Sequence, residues 1–491
     1  ALFKLLRNDI EINDVSLKDV TAKIKRQLPD TAFNFQFIID AFTSADKKES
    51  ETQKDTTGSF AIKSVSLDNI RLLYKDVLTG NDVETWLDHL ETKIPKIDLV
   101  HSQFDITRFT VDGLNAKIYQ SEPIVKTKTG SKDSAYMQVA IPFQLNIKEV
   151  LLKKIKLDYR NNVSSFYSSL DLDKLLVRPG KIDLEKRIID LDELELNETT
   201  AAIRLGKTQQ SKNVEKETEQ EINRPAENSW QILAASIRLN NNNLLFDNDN
   251  ETKAAAGIDY AHLNAGNLTL HVDNFYFSTD SISGIIKKGS LVEKSGFDVE
   301  KLQTDFTYSG KGASIKNLLL KTPGTELKNK AVINYYSLES LKSDPGNMQL
   351  DISLQNSFVQ VKDILAFMPD LKSQPLFSNP QNVIYVNSEL HGRLSQLNID
   401  KLQVKGLSNT KVDITGSISG IPTTKKIKSD LVIRSIQSTR KDLLAIMPAG
   451  SLPENITLPE NFSLTGKING GIEKITTTLL LKTNAGDISV D

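Results

Sequence analysis

The chain has 491 residues, with 61 basic and 63 acidic side chains and a formal net charge of -2. This balance provides no concentrated basic surface, so we expect no nucleic-acid partner. The absence of cysteine excludes disulfides, thiolate metal sites and a cysteine nucleophile. Apolar residues make up 39% of the chain, which favours a thin or elongated body over one large globule.

Alternating apolar residues dominate the chain from its beginning. Val15 and Leu17 are followed by Val20 and Ala22, and the spacing of two recurs to the end. Such spacing places apolar side chains on one face of a strand and polar ones on the other. Turn dipeptides such as Pro179-Gly180 separate the strands, and no βαβ pattern occurs. We therefore predict an all-β fold with a few short helices, in which an elongated, repetitive, antiparallel-rich sheet curls into a taco-like groove.

Three short helices interrupt this pattern. The first is predicted near 35–43, with Asn34 as its N-cap and Phe33 packed on Ile38. The other two, near 361–368 and 440–447, have nearly the same sequence, KDILAFMP and KDLLAIMP, displaced by 79 residues. The residues 387–392 and 461–466 that follow also correspond, so a helix-then-strands unit repeats about every 75 to 80 residues. A looser repeat joins 65–76, 152–161 and 232–243.

Two polar, charged stretches, 45–59 and 207–229, are predicted to be disordered. We interpret 1–206 as a first groove segment, 207–229 as a long loop on one continuous sheet, and 230–491 as a second segment. The chain begins and ends in strand-like residues without a signal peptide, and it has no apolar run of about 18 residues. We expect both ends to be cuts in a longer protein, whose membrane anchor lies elsewhere.

No motif indicates catalysis. The five histidines lack the spacing of metal ligands, and the acidic run 247–251 lacks the glycine and glutamate of a calcium loop. Isoleucine occupies the nucleophile position of the GSISG sequence at 416–420. We predict no enzyme activity, no catalytic residue, no metal and no cofactor.

Several segments resemble TamB-like proteins of the Bacteroidota, within the AsmA-like superfamily. The resemblance is best over 10–42, 60–82 and 94–113 and looser beyond. It implies an N-proximal or central fragment of a translocation-and-assembly-module protein, anchored in the inner membrane and crossing the periplasm. Such proteins are thought to conduct phospholipids to the outer membrane along an apolar groove. Some bind a barrel-assembly-type protein of the outer membrane, and this partner would involve parts absent from the chain.

The alternating apolar residues are the predicted lining of the groove, which acyl chains would occupy. They are Leu67, Ile70, Leu72, Ile97, Leu99, Ile155, Leu157, Leu268, Leu270, Phe306, Val412, Ile414, Leu431 and Ile433. The same residues could instead form the core of a β-sandwich. An alternative function is a scaffold for assembly of outer-membrane proteins or autotransporters, through backbone pairing at a sheet edge. A carbohydrate-binding solenoid is a weaker alternative, because the two tryptophans, Trp86 and Trp230, are far apart.

Overall fold

The computed structural model describes residues 10–29, 32–37, 60–98, 103–121, 144–208, 229–447, 457–471 and 473–491. It is 68% strand and 9% helix, with long, curled, mixed β-ladders. This confirms the predicted all-β class. Contacts divide the chain into two units, Ala1–Lys253 with Ala261–Leu268, and Ala254–Tyr260 with Thr269–Asp491. The predicted disordered stretches 45–59 and 207–229 fall outside the described residues, except for 207, 208 and 229.

The first unit contains strands β1 to β12 and the beginning of β13. They are β1 (Ile10–Arg26), β2 (Phe60–Asp76), β3 (Asn81–Lys93), β4 (Lys96–Asp98), β5 (Gln103–Ile106), β6 (Arg108–Gln120), β7 (Gln144–Ile147), β8 (Val150–Asn161), β9 (Phe166–Asp183), β10 (Ile188–Asn197), β11 (Thr200–Leu205), β12 (Gln231–Asn248) and β13 (His262–Phe277). The main ladder pairs β1, β2, β3, β6, β8 and β9 in that order, then β10 and β11 end to end, then β12. Strands β4, β5 and β7 form a separate small sheet.

Antiparallel pairing predominates, but three pairings in the main ladder of the first unit are parallel: β1 with β2, β6 with β8, and β10 plus β11 with β12. In the small sheet, β5 and β7 are also parallel. Alternation of side chains does not reveal this difference, because both pairings have a period of two. Residues 206–230 connect two such adjacent strands.

Each parallel pairing of the main ladder contains two aligned residues with positive φ. The pairs are Asp19 (56°) with Asn69 (51°), Gly113 (76°) with Lys154 (51°), and Glu198 (46°) with Asn241 (53°). An extra residue in this conformation shifts the side-chain alternation by one position. The apolar series therefore moves from odd to even numbers without leaving its face of the sheet.

The second unit is an antiparallel ladder in which every strand from β14 to β24 pairs with the next one along the chain. The strands are β14 (Ser281–Glu293), β15 (Asp298–Ser309), β16 (Gly312–Lys321), β17 (Glu326–Asn334), β18 (Gln349–Gln360), β19 (Val383–Arg393), β20 (Gln396–Gly406), β21 (Thr410–Ser419), β22 (Lys428–Thr439), β23 (Asn461–Gly471), β24 (Lys474–Thr483) and β25 (Gly486–Val490).

Three short helices lie between strands of the second unit: α1 (Leu338–Ser343), α2 (Val361–Phe367) and α3 (Arg440–Ile446). Helices α2 and α3 confirm the two predicted repeats, and each is followed in the chain by one of the two corresponding strands, β19 and β23. Helix α1 was not predicted. Among the described residues, no helix is long and apolar enough to cross a membrane.

The predicted helix near 35–43 is described only over 35–37, of which Gln36 and Phe37 are helical, and 38–43 lie outside the described residues. Asn34 is not its N-cap, which corrects the prediction. Its side chain instead accepts from the Lys25 N–H (2.8 Å) and donates to the Lys23 carbonyl (2.9 Å), so it binds the edge of β1. An asparagine amide presents the same donor and acceptor as a peptide group, and it can therefore replace a strand partner.

Candidate functional site

One face of the first unit is apolar across its whole ladder. Residues directly opposite each other on neighbouring strands project to the same face, so the register defines rows that run across the strands. One row is Val20, Ile70, Leu87, Leu114, Ile155 and Leu172. A second is Leu17, Leu67, Leu90, Val111, Leu152, Leu175, Leu196 and Leu239. A third is Ala22, Leu72, Thr85, Ala116, Leu157, Leu170, Ala201 and Leu244.

The register brings together most of the predicted lining of this unit. Leu67, Ile70, Leu72, Ile155 and Leu157 all lie in these three rows. These five residues therefore share one face of the ladder.

Three predicted residues stand apart from these rows. Ile97 belongs to β4, in the small separate sheet, so the main ladder does not include it. Leu99 lies outside the described residues. Leu268 is in β13, directly after Asn267, another residue of positive φ (53°).

The second unit has an equivalent apolar row across ten strands. Its members are Gly284, Phe306, Ile315, Ala331, Ile352, Leu390, Ile399, Gly416, Leu431 and Ile468. Ile433 lies two residues from Leu431 and opposite Ile414, and Val412 lies two residues before Ile414. These four predicted residues therefore share the face of the row.

Leu270 joins the same face through its neighbour Val272. A Cβ placed on Gly284 would lie 2.8 Å from Val272 Cγ1 and 3.2 Å from Phe306 Cε1. Val272 therefore packs beside Phe306 over this glycine. Leu270 alternates with Val272 along β13 and projects to the same side.

The exposure of these side chains distinguishes an open surface from a sandwich core. Among the predicted residues with described side chains, only Ile155 (7% exposed) and Ile433 (5%) are buried, and the others are half-buried. Other members of the rows range from buried to open. Val111 (5% exposed) and Leu172 (3%) form a small buried cluster with Ile155, whereas Leu17 is 47% exposed, Leu244 43% and Ile315 39%. The facing side chains of a closed sandwich would interdigitate and be buried. The described exposure therefore favours an open apolar face in each unit.

The opposite face of the first unit is polar and carries cross-strand ion pairs. Arg71 binds Glu84 at 2.8 Å, and Lys174 binds Glu195 at 3.1 Å. The guanidinium of Arg71 also lies 5.3 Å from the centre of the Trp86 ring. Such charged pairs are typical of a surface in water, so this face of the first unit is hydrated around these pairs.

A buried carboxylate fixes the end of the first parallel pair. Asp76 is 1% exposed and accepts from Arg26 Nε at 2.9 Å and from the Thr79 hydroxyl at 2.6 Å. The hydrogen bonds from the Arg26 guanidinium, and then those from Thr79, hold the pKa of Asp76 well below its usual range. Arg26 in turn lies over the ring of Phe33, 4.6 Å from its centre. We interpret the cluster as a structural clamp between β1 and the β2–β3 turn.

The same turn geometry recurs in the three repeats of the first unit. The Val77 N–H donates to the Arg26 carbonyl at 3.0 Å, and Asn162 donates to the Gln120 carbonyl at 3.0 Å. In the third repeat, the Asp249 N–H donates to the Leu205 carbonyl at 2.8 Å. The Asn/Asp-rich turns were visible in the sequence, but their backbone partners on the preceding strand were not.

Buried aspartates at the starts of α2 and α3 hold neighbouring hairpin loops. Asp442 is 2% exposed and accepts from the Asn409 N–H (2.6 Å) and the Thr410 hydroxyl (3.0 Å). Asp363, its equivalent in α2, accepts from Thr322 at 2.6 Å and Thr325 at 2.5 Å. The repeated Lys-Asp pair was a signal for this role that the sequence reasoning did not use.

The described residues contain no group of three histidine, aspartate or glutamate side chains that could hold a metal ion. His262 is 2% exposed, and its Nδ1 contacts the Asp247 carboxylate, while Nε2 lies 3.3 Å from the Glu251 carbonyl. These contacts join the start of β13 to β12 and to the turn that follows β12, so they account for the histidine structurally.

No protein-family model matches this chain, and no curated protein or solved structure is similar to it.

Proposed function

We propose that this chain conducts phospholipids, with the acyl chains lying on the apolar faces of its ladders. The observation that carries the proposal is the continuity of the rows, in which half-buried apolar side chains follow one another across neighbouring strands. The resemblance to TamB-like proteins supports a path through the periplasm, between the inner and outer membranes. In the full-length protein, an inner-membrane anchor and an outer-membrane barrel-assembly-type partner belong to the same proposal.

The physical chemistry of the rows suits acyl chains. An exposed apolar surface of this extent is expected where something binds it. Removing a CH2 group from water contributes about 0.8 kcal/mol, and this attraction has no preferred direction along the row. Successive strands, about 4.8 Å apart, offer nearly equivalent positions. A lipid can therefore bind without a specific pocket and move from strand to strand.

Neighbouring residues on β12 allow a matched test. Leu244 (43% exposed) lies in an apolar row with Ala201, whereas Leu245 (37% exposed) lies opposite Ala202 on the other face. The purified chain would be incubated with phospholipid vesicles, re-isolated and analysed by native mass spectrometry. We expect Leu244→Asn to lower bound phospholipid roughly threefold or more, while Leu245→Asn leaves it near the unsubstituted level.

A second pair repeats the test in the other unit. Ile315 lies in the ten-strand row, and Val432 (37% exposed) lies opposite Thr415 on the polar face. Ile315→Asn should lower bound lipid, and Val432→Asn should not. A chain that binds no phospholipid, or equal effects of both substitutions in each pair, would exclude lipid conduction. Loss of function only on placing proline in an edge strand would favour the assembly scaffold instead.

A further inference from the structure

The polar face of the second unit carries a register row of its own, which we call the lysine row. Its residues are Phe358, Tyr385, Lys405, Lys411, Gln437 and Ser463, on strands β18 to β23. Lys482 on β24 follows Ser463 in this register, and it lies directly opposite Asp487 on β25. Lys411 precedes Val412, which is on the apolar face, so the lysine row projects to the opposite side.

Two adjoining clefts follow this row. The first has a volume of about 590 Å³ and includes Phe358, Tyr385 and Lys405, and the second has about 510 Å³ and includes Lys482. Both clefts are lined by Lys411 and Gln437, so they meet along the row. Their volumes lie in the range of ligand-binding clefts.

Two lysines of the row lie where their charges destabilise the sheet. Lys405 and Lys411 are directly opposite each other on β20 and β21, and like charges in this position repel. Neither forms an ion pair within the described part of the chain. Lys405 Nζ lies 5.7 Å from the centre of the Tyr385 ring, and Tyr385 is 50% exposed. The ammonium groups and the ring are therefore available to a ligand.

The groups beside the lysines suit a ligand rich in hydroxyls. Gln403 Nε2 donates to Asp413 Oδ2 at 2.9 Å, and both residues line the first cleft. The Gln403 amide can both donate and accept hydrogen bonds, as sugar hydroxyls do. Phe358 and Tyr385, with ring centres 5.7 Å apart, offer apolar surface for the face of a sugar ring.

We propose that the lysine row binds a linear anionic polysaccharide, whose uronate or phosphate groups pair with Lys405, Lys411 and Lys482. The row crosses seven strands and is about 29 Å long, sufficient for several sugar residues. Amide and hydroxyl side chains outnumber the lysines in the lining of the two clefts, which favours a polysaccharide over the densely charged backbone of a nucleic acid. This function is separate from lipid conduction, because it uses the opposite face of the ladder.

The test is binding of defined oligosaccharides to the 491-residue chain by isothermal titration calorimetry. The probes are a polyuronate hexasaccharide, a phosphorylated glucan of similar length and a neutral dextran hexasaccharide. We expect one or both anionic probes to bind, more weakly at higher salt, and dextran to bind far less. The difference between the uronate and phosphate probes identifies the anionic group.

Charge-matched variants locate the site. Lys405→Gln/Lys411→Gln should weaken anionic binding about three- to thirty-fold, as expected for two exposed contacts. Lys428→Gln/Lys467→Gln removes two lysines elsewhere on the same face and should leave it unchanged. Tyr385→Ala tests the aromatic platform and should also weaken binding.

Three outcomes would overturn the proposal. They are absence of anionic binding, equal loss in the two double variants, and tighter binding of single-stranded DNA than of either anionic glycan. Thermal unfolding of every variant confirms that the ladder is intact.

Discussion

Asn69 Nδ2 donates a 2.6 Å hydrogen bond to Asp19 Oδ1 across the first parallel pair, and both residues have positive φ. The two extra residues are thus aligned, and the side-chain alternation of both strands shifts at the same level. This alignment keeps Leu17 and Leu67, on one side of it, on the same face as Val20 and Ile70 on the other.

The positive φ of Asn69 predicts which substitutions at this position destabilise the chain. Asparagine and glycine adopt positive φ with little strain, whereas a β-branched residue is a strong outlier there. We expect Asn69→Val to lower the free energy of unfolding by about 1–2 kcal/mol. Asn69→Gly should cost less, because it loses only an exposed hydrogen bond. Urea unfolding measures both, and equal losses would contradict the role of φ.

Gly113, the equivalent residue in β6, gives a second test. Its φ is 76°, and a Cβ there would lie 2.1 Å from Asp88 Oδ2. Gly113→Ala should therefore destabilise the chain by about 1–2 kcal/mol, through backbone strain that the movement of Asp88 does not relieve. Gly310→Ala is the control, since a Cβ at Gly310 meets nothing within 4 Å. Its effect should stay within about 0.5 kcal/mol.

The Arg26–Asp76 clamp predicts a loss of stability in acid. The pKa of Asp76 is lowered in the folded chain by its bonds to Arg26, so ionised Asp76 stabilises the fold at any pH above the unfolded value of about 3.9. This contribution disappears as the pH falls from there through the lower folded value. Thermal unfolding of the unsubstituted chain and Asp76→Asn should differ by a constant amount from pH 7 to about 5 and converge below about 4.

Arg26→Gln provides the control for this pH profile. Without the guanidinium, the pKa of Asp76 should move back toward its ordinary value, and the acid-dependent contribution should shrink. A difference between the unsubstituted chain and Asp76→Asn that persists unchanged to pH 2 would show that the charge of Asp76 is not involved.

The buried aspartates of the repeated helices predict local loosening. Asp442→Ala leaves the Asn409 N–H without its acceptor and should cost about 1–3 kcal/mol. Hydrogen exchange should accelerate at 408–410, in the loop that Asp442 holds. Lys441→Ala changes the adjacent exposed residue and should leave both readouts unchanged. If Asp442→Ala had no effect on exchange in this loop, the aspartate would not be what fixes it.

Sequence reasoning located the strands and the apolar face because alternation directly reflects burial on one side of a sheet. It also located α2 and α3, whose repeated sequences are bounded by proline. It could not identify the parallel pairs, because the strands that pair are separated by long connections and have the same period. It assigned Asn34 to a helix cap, whereas that residue binds the edge of β1. Asparagine is common in both roles, and only the position of the chain decides between them.

The lysine row was missed for a related reason. Phe358, Tyr385 and Lys405 are far apart in the chain and are aligned only by the register of β18 to β20. The scarcity of tryptophan argued against carbohydrate binding, but the aromatic pair on the row is a phenylalanine and a tyrosine.

The position of α2 and α3 in the antiparallel ladder has a consequence for how its length can change. Four strands, β19 to β22, lie between the two helices in the chain. An even number of antiparallel strands returns the chain to the end of the ladder from which it started, so both helices lie at that end. Duplication of such a segment would extend the ladder without inverting any later strand. Insertion of an odd number of strands would instead reverse the direction of every later strand in the ladder. The 79-residue displacement of the helix sequences is therefore a step size that preserves polarity.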